Sequence, residues 1–439
     1  MLVQFSVRNY KIFKDEAKLT LFASNSDTTT RESENVFEVP KFGLRLLKSA
    51  VMYGANASGK TKLVNAAKFM KEFMLKSSKE SQEGEPIKTE PYRLSTATEN
   101  QPSMFELVFI QNNDMFRYGF EATKEKVLSE WLYYRPNTKE IEVFFREGQE
   151  FTIHSTHFKK GKLLKNENIV RSNALMLSVA AQFNDELAGR VFQWLRNFHI
   201  LSGLHEDEYM GYSMLMADNE VGKKKALEWL KHAGIGVDNI RPQTINVNEL
   251  PTEIQGRVLD MVKKNEETRL FSDLVTVHAK YDASFSQVGN EEFALLEEES
   301  SGTQKFFALN APIIHAIDQG DVLFIDELDS KIHPNLVCKI IEVFNSKKTN
   351  PKNAQLIFNT HDTNLLSSNL FRRDQIWFAE KDRYGAATIY PLSSFKTNEG
   401  ARKGDKYEEN YISGRYGGVP VLNEFSELFY NKTLKENER

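Results

Sequence analysis

Residues 54–61 read Gly-Ala-Asn-Ala-Ser-Gly-Lys-Thr, a complete G-x-x-x-x-G-K-[ST] phosphate loop, and no other stretch restricts the fold as much. Glycines let successive backbone N–H groups converge on a phosphate with no side chain in the way. Gly54, Asn56, Ala57, Ser58, Gly59, Lys60 and Thr61 are therefore the expected phosphate-contacting residues. Lys60 can reach the terminal phosphates, the Thr61 hydroxyl can ligate Mg²⁺, and the positive end of the following helix faces the same anion. Such a loop needs a strand before it and a helix after it. Leu47 to Tyr53 has the apolar core of a buried strand, and Leu63, Ala66, Ala67, Met70, Phe73 and Met74 recur at helical spacing.

The chain of 439 residues has room for two or three domains, and 40% hydrophobic with 27% charged residues is the balance of an ordinary folded protein. A net charge of −4 gives no basic footprint, so the charge balance does not support DNA as a partner. The single cysteine, Cys338, excludes an intrachain disulfide and reads as a small apolar helix residue in a reducing compartment. The opening "MLVQFSVRNYKIF" lacks the layout of a signal peptide, and no apolar run reaches membrane-spanning length. A cytoplasmic protein with no membrane partner is expected.

Residues 1–23 alternate as strands around "RNYKIF", 24–35 and 78–103 read as polar loops, and 104–154 is β-rich. From about 170 to 235 the pattern turns helical, with Leu187, Val191, Trp194, Leu195 and Phe198 on one face; "EIQGRVLDMVKKN" reads as a further short helix. There is no internal repeat and no heptad run long enough for a coiled-coil arm. Further nucleotide-type motifs return only after residue 299. Two sequence halves, 1–160 and 271–400, are therefore expected to build one α/β head with a β-rich N-terminal subdomain. A largely helical domain is inserted at 161–270, and 401–439 forms a C-terminal tail.

"DVLFIDELD" (321–329) is an apolar strand ending in Asp326-Glu327. A buried strand of this kind delivers one carboxylate to Mg²⁺, here Asp326, and the next, Glu327, to an attacking water. Ser300, Ser301 and Gly302 open a helix, either as an anion site or as an ordinary serine cap. "LIFNTHD" (356–362) is a third apolar strand that places His361 at its tip, either to meet a phosphate or as a polar strand end. Arg372-Arg373-Asp374-Gln375 reads as a solvated turn with a structural ion pair or as an interface or nucleotide-sensing arginine, and Arg415-Tyr416-Gly417-Gly418 is a candidate partner contact. The lysines at 159–165 and 223–225 read as solvated faces. Arg8 and Asn9 are weak candidates to approach the nucleotide; Tyr10 and Phe13 read by default as core residues, with stacking on its base as the alternative. His315 and His333 have no partner at metal-ligand spacing, so no zinc site is expected.

Phosphate loop, Ser-Ser-Gly, strand-Asp-Glu, Leu-Asp and strand-His follow the motif order of ABC-type P-loop ATPases. In that resemblance Ser300, Ser301 and Gly302 are the signature, with Ser301 where the commonest form has glycine. Leu328-Asp329 is the D-loop and His361 the switch histidine. The resemblance implies ATP and Mg²⁺ as ligands and a homodimer, or an assembly of dimers, in which each signature completes the other chain's site. Lys60, Glu327 and His361 would be catalytic, and Thr61 and Asp326 would hold Mg²⁺. More closely, "FSVRNYKIFKD", "GANASGKT", "ESSGTQK", "DELDSKIHP", "QLIFNTHD", "RRDQIWFAEKD" and "YISGRYGGVP" resemble stand-alone bacterial ATPases of the OLD/RloA/abortive-infection group, relatives of RecF and SMC heads. The likeness covers about 1–75 and 270–422. It implies an anti-phage switch that responds to a phage-derived trigger and controls a separately encoded nuclease or toxin, with a DNA-repair ATPase of RecF or SMC type as the alternative. The chain departs from the group in two ways: the stretch after 395 is too short for a TOPRIM nuclease, and coiled-coil arms are missing. For a Q-loop glutamine there are only weak candidates, Gln182 and Gln111.

Overall fold

The computed structural model describes residues 1–80, 82–245, 270–395 and 405–420. The chain begins with β1 (Leu2–Arg8) and β2 (Ala17–Thr20), a one-turn α1 (Glu32–Asn35), and the hairpin β3 (Val36–Val39) and β4 (Leu44–Leu47). Then come β5 (Ser49–Tyr53), α2 (Lys60–Lys76) and the meander β6 (Ser103–Gln111), β7 (Asp114–Ala122), β8 (Val127–Arg135), β9 (Ile141–Glu147) and β10 (Glu150–Ile153). The middle holds α3 (Lys159–Asn166), α4 (Met176–Gln182), α5 (Glu186–Arg196), β11 (Phe198–Ser202), α6 (Asp207–Ala217), α7 (Glu220–His232) and β12 (Asn239–Ile245). The expected helix "EIQGRVLDMVKKN" lies outside the described residues. After β13 (Leu270–Tyr281) and β14 (Gln287–Ala294) come α8 (Ser301–Gln319), β15 (Val322–Asp326), α9 (Pro334–Asn345), β16 (Gln355–Asn359), α10 (Asn364–Ser367), β17 (Ile376–Lys381), β18 (Ala387–Pro391) and α11 (Tyr407–Ile412).

Two main sheets organise this mixed α/β fold. One is antiparallel, ordered β10-β9-β8-β7-β6-β1-β2; the other is ordered β11-β15-β16-β5-β17-β18 and is parallel except for its β18 edge. Alternation along β5 sends Ala50 and Met52 to one face and Val51 and Tyr53 to the other. On the first face α2 lies between the sheets, burying Leu63, Ala66 and Met70 against Phe5, Phe105 and Phe324. On the second face α8 and α9 cover Leu323, Ile325, Leu356 and Phe358. A strand covered on both faces carries an unbroken apolar run, which is why β5, β15 and β16 stand out in the sequence.

The middle of the chain departs from the expected insertion at 161–270. Phe198–Ser202 is itself an edge strand of the parallel sheet, paired with Val322–Asp326. Its five residues follow directly on the amphipathic α5, so helical periodicity masks it.

Buried polar side chains tie the layers together. Gln355, fully buried, accepts from Leu2 N (2.6 Å) and donates to the carbonyls of Leu2 and Leu47 (3.0 Å each). Arg372 is also fully buried and takes the structural role of the two expected for its turn. Its guanidinium donates to Thr30 O (2.7 Å), Asp27 O (2.7 Å), Glu32 (2.8 Å) and both oxygens of Asp374. Burial opposes its charge, but Asp374, Asp27 and Glu32 outweigh this and raise its pKa. Removing one member of such a buried set leaves carboxylates and carbonyls uncompensated. Arg372→Ala should therefore cost about 3–5 kcal/mol in urea unfolding, whereas exposed Arg415→Ala should stay within about 0.5 kcal/mol. Equal midpoints for the two variants would contradict the structural role.

Candidate nucleotide site

The phosphate loop joins the end of β5 to the start of α2. Two of its glycines are required by space. A Cβ at Gly54 would lie 2.5 Å from Ala379 O, and Gly59, at φ +125°, would place one 3.1 Å from Ile12 and 3.2 Å from Ala387. Ala57 also holds a left-handed φ of +61°. No side chain caps the first turn of α2, so its N–H groups face the loop. Lys60 is buried and folds back to donate to Gly54 O (2.7 Å) and Ala55 O (3.2 Å). Desolvation lowers its pKa, against the opposing pull of Glu327, Asp326 and Asp329. The buried Ser58 hydroxyl has no hydrogen-bond partner among the described residues. A glycine-walled cradle, an orphan hydroxyl and an ammonium held on the loop's own carbonyls together fit a bound phosphate chain.

The carboxylates arrive from the neighbouring strand. Asp326, the last residue of β15, accepts from Thr61 Oγ1 (3.2 Å). These are the hard oxygen donors that Mg²⁺ takes beside phosphate oxygens. Asn359, at the end of β16, was not singled out by the sequence patterns, yet it fixes both acidic residues. Its Nδ2 donates to Asp326 Oδ1, and its Oδ1 accepts from Glu327 N (2.5 Å). Glu327 sits at φ +52°, a conformation rare for this residue type that turns the chain sharply at the strand end.

Two further residues went unnoticed in the sequence. Gly203 follows β11, and its N–H donates to Asp326 O (2.6 Å). A Cβ there would fall 2.0 Å from Glu327 O. Lys305, fully buried on α8, donates to Glu327 O (3.1 Å), Ser330 O (2.6 Å) and Ser330 Oγ (2.7 Å). Burial pulls its pKa down from 10.5 to about 8. Its charged form therefore subtracts from stability below about pH 8, and that cost fades as pH rises toward 10.5.

His361 is exposed, and its backbone N–H donates to Asp329 Oδ2 (3.2 Å). A cavity of about 710 Å³ runs beside the loop, lined by Tyr53, Gly54, Asn56, Thr360, His361 and the C-terminal Tyr411, among others. Ser300 caps α8, accepting from Thr303 N (3.1 Å), and Ser301 is exposed in the first turn. A Cβ on Gly302 would press on Lys331 O at 2.9 Å. None of Ser300, Ser301 and Gly302 lines the cavity beside the loop.

Several expectations change. Arg8 pairs with Glu121 (2.6 Å), and Asn9 is buried on the carbonyls of Thr98, Gln101 and Pro102. Tyr10 and Phe13, by contrast, are the core residues expected by default, Tyr10 against Phe69 and Phe105, and Phe13 beneath Gly59. Gln111 ends β6 and Gln182 ends α4; neither lines the cavity. Tyr416 is fully buried and stacked on Phe378, and Gly418 packs on Gly54 and Ala379. Residues 405–420 thus form part of the wall beside the phosphate loop, not a free tail. His333 caps α9, whereas His315 meets His199 and Asp321, which overturns the expectation that it lacks metal-type partners. Chain separation hid this: position 199 is far from 315 and 321 in sequence.

A phosphate loop between a buried parallel strand and a helix, with carboxylates delivered by a neighbouring strand, defines a P-loop nucleotide-binding head. The chain belongs to the family described as "AAA domain, putative AbiEii toxin, Type IV TA system", which matches residues 49–367. The SMC head domain from Thermotoga maritima is a similar solved structure, at 13% identity and TM-score 0.40, covering 89% of this chain and 98% of that chain. No curated protein matches. Among the described residues, no helix is long and apolar enough to cross a membrane.

Asn359→Ala should weaken Mg²⁺-dependent binding of a fluorescent ATP analogue by about 10- to 100-fold and leave metal-free binding unchanged. Equal loss with and without Mg²⁺ would show that the amide supports the fold and not the metal ligand.

Proposed function

We propose that the protein binds ATP with Mg²⁺ and hydrolyses it between two copies of the chain, as a switch of an anti-phage defence system acting in the cytoplasm. The observation that carries the catalytic part is the convergence of the 54–61 loop, the Thr61–Asp326 pair and Glu327 at one edge of the sheet. Lys60 exchanges its loop carbonyls for the terminal phosphates, and Thr61 and Asp326 hold the metal. Mg²⁺ supplies charge neutralisation on the phosphates. Glu327 accepts the proton of the attacking water, and His361 orients that water from the cavity wall. Ser300, Ser301 and Gly302 lie at an exposed helix start, which suits contact with a nucleotide held by a second copy. Asp329 holds the His361 backbone and so couples this interface to the site.

The regulatory part rests on the family, whose description names a toxin and a toxin–antitoxin system, and on the likeness of the motifs to the OLD/RloA/abortive-infection group. In this reading 1–160, the β11 strand, 271–400 and the 405–420 wall belong to the head, while the rest of the middle segment holds a separate nuclease or toxin inactive until a phage-derived cue alters the ATP cycle.

Glu327→Gln should bind ATP, lose about 10²- to 10⁴-fold in turnover and accumulate as dimers in size-exclusion chromatography. Turnover at the parental rate would refute the base assignment. Tagged and expressed within its native operon, the same variant should retain a stoichiometric partner carrying nuclease or toxin residues. A lone dimer whose parental form hydrolyses ATP faster with DNA would instead make this a repair-type ATPase.

A further inference from the structure

A second cluster of ligating side chains lies at the opposite end of the parallel sheet. Asp321 occupies the turn between α8 and β15, with its side chain 1% exposed. A carboxylate so deeply buried must be compensated. Among the described residues its side chain meets two imidazoles, and the buried Met1 ammonium is near enough to act on it electrostatically. His199 Nε2, from β11, stands 3.1 Å from Asp321 Oδ2, and His315 Nε2, from the last turns of α8, stands 3.5 Å from the same oxygen. The two rings are nearly perpendicular, at 89°, with centroids 5.8 Å apart. The three ligating atoms all lie within 4.8 Å of one another.

We propose that His199, His315 and Asp321 bind a divalent transition cation of the zinc class. The geometry carries this. Zinc held at about 2.0–2.1 Å by tetrahedral ligands sets neighbouring ligand atoms about 3.3–3.4 Å apart. The observed nitrogen–oxygen separations of 3.1 and 3.5 Å bracket that spacing. The two ring nitrogens need approach each other by at most about 1.5 Å to complete the set. Two imidazoles and one carboxylate suit zinc and its neighbours and not Mg²⁺, which prefers oxygen throughout. The rings are 31% and 41% exposed, so the fourth position opens to water.

This site is separate from the nucleotide site. Asp321 precedes β15 and Asp326 ends it, so five strand residues place the two carboxylates about 16 Å apart. The ion would join edge strand β11, the C-terminal end of α8 and the entry of β15. It would thereby brace the helix whose other end carries Ser300–Gly302 against the strand that ends in Asp326. The proposal does not depend on ATP hydrolysis.

The test is titration of the chelator-treated full-length protein with Zn²⁺ in excess Mg²⁺, followed by calorimetry, with Co²⁺ as a spectroscopic probe. We expect one Zn²⁺ per chain, visible Co²⁺ absorption of a low-symmetry site, and a raised unfolding temperature. His315→Ala and, separately, His199→Gln should lose all three, while Asp326→Asn keeps them. Both histidines are partly exposed, so circular dichroism should confirm that the variants fold. Absence of the Zn²⁺ equivalent in the parental chain, or its persistence in both histidine variants, would overturn the proposal. So would an unfolding temperature that Zn²⁺ leaves unchanged in the parental chain, which would mean that the imidazoles and the Met1 ammonium compensate Asp321 without a metal.

Discussion

Three adjacent parallel strands end at one edge of a sheet, and everything at the nucleotide site depends on that alignment. The register pairs Ile325 with Phe358 and Phe358 with Val51, so the ends of β15, β16 and β5 emerge side by side. The phosphate loop leaves the third strand, Asp326 and Glu327 the first, and Asn359 the second. Because Asn359 bonds Asp326 through its side chain and Leu328 N through its carbonyl (3.3 Å), the middle strand sets the acidic turn in place. Ligands of open α/β sheets bind outside the carboxyl ends of the strands for this reason.

The acidic turn is held from a second direction by α8. Lys305 binds the carbonyls of Glu327 and Ser330, and Ser330 in turn donates to Gly203 O (2.8 Å). A displacement at the exposed start of α8 therefore has a direct mechanical route to the backbone of Glu327 through Lys305, which lies one helical turn after Ser301. This route gives a physical form to the idea that a second copy of the chain, docking on Ser300–Gly302, readies the base. The buried ammonium also makes the coupling polar and specific, where an apolar contact would allow sliding.

The phosphate loop and the strand ending in Asp326-Glu327 were legible in the sequence because their chemistry is local: glycines, a lysine and carboxylates at fixed spacing beside apolar runs. The rest depends on contacts between distant segments. Asn359 reads as a polar residue at a strand tip until the fold sets it beside Asp326. Lys305 reads as a solvated helix residue until its burial is seen. The β11 strand is short and continues a helical apolar stripe, so its place in the parallel sheet was hidden, and with it Gly203 and His199. Tyr10 and Phe13 follow the core packing that apolar residues in alternating strands imply, and Phe13 packs beneath Gly59 as part of the loop's floor.

The central claim is that one complete site takes its phosphate loop from one chain and its Ser300–Gly302 turn from another. Mixing two inactive variants tests this most directly: Lys60→Ala, which cannot hold the phosphates, and Ser300→Arg, which blocks the docking turn. Each alone should be silent, and an equimolar mixture should regain ATP turnover, to roughly a quarter of the parental rate if pairing in a two-fold dimer is random. A mixture that stays silent although both chains bind each other, or a Ser300→Arg chain that turns over at the parental rate, would contradict it.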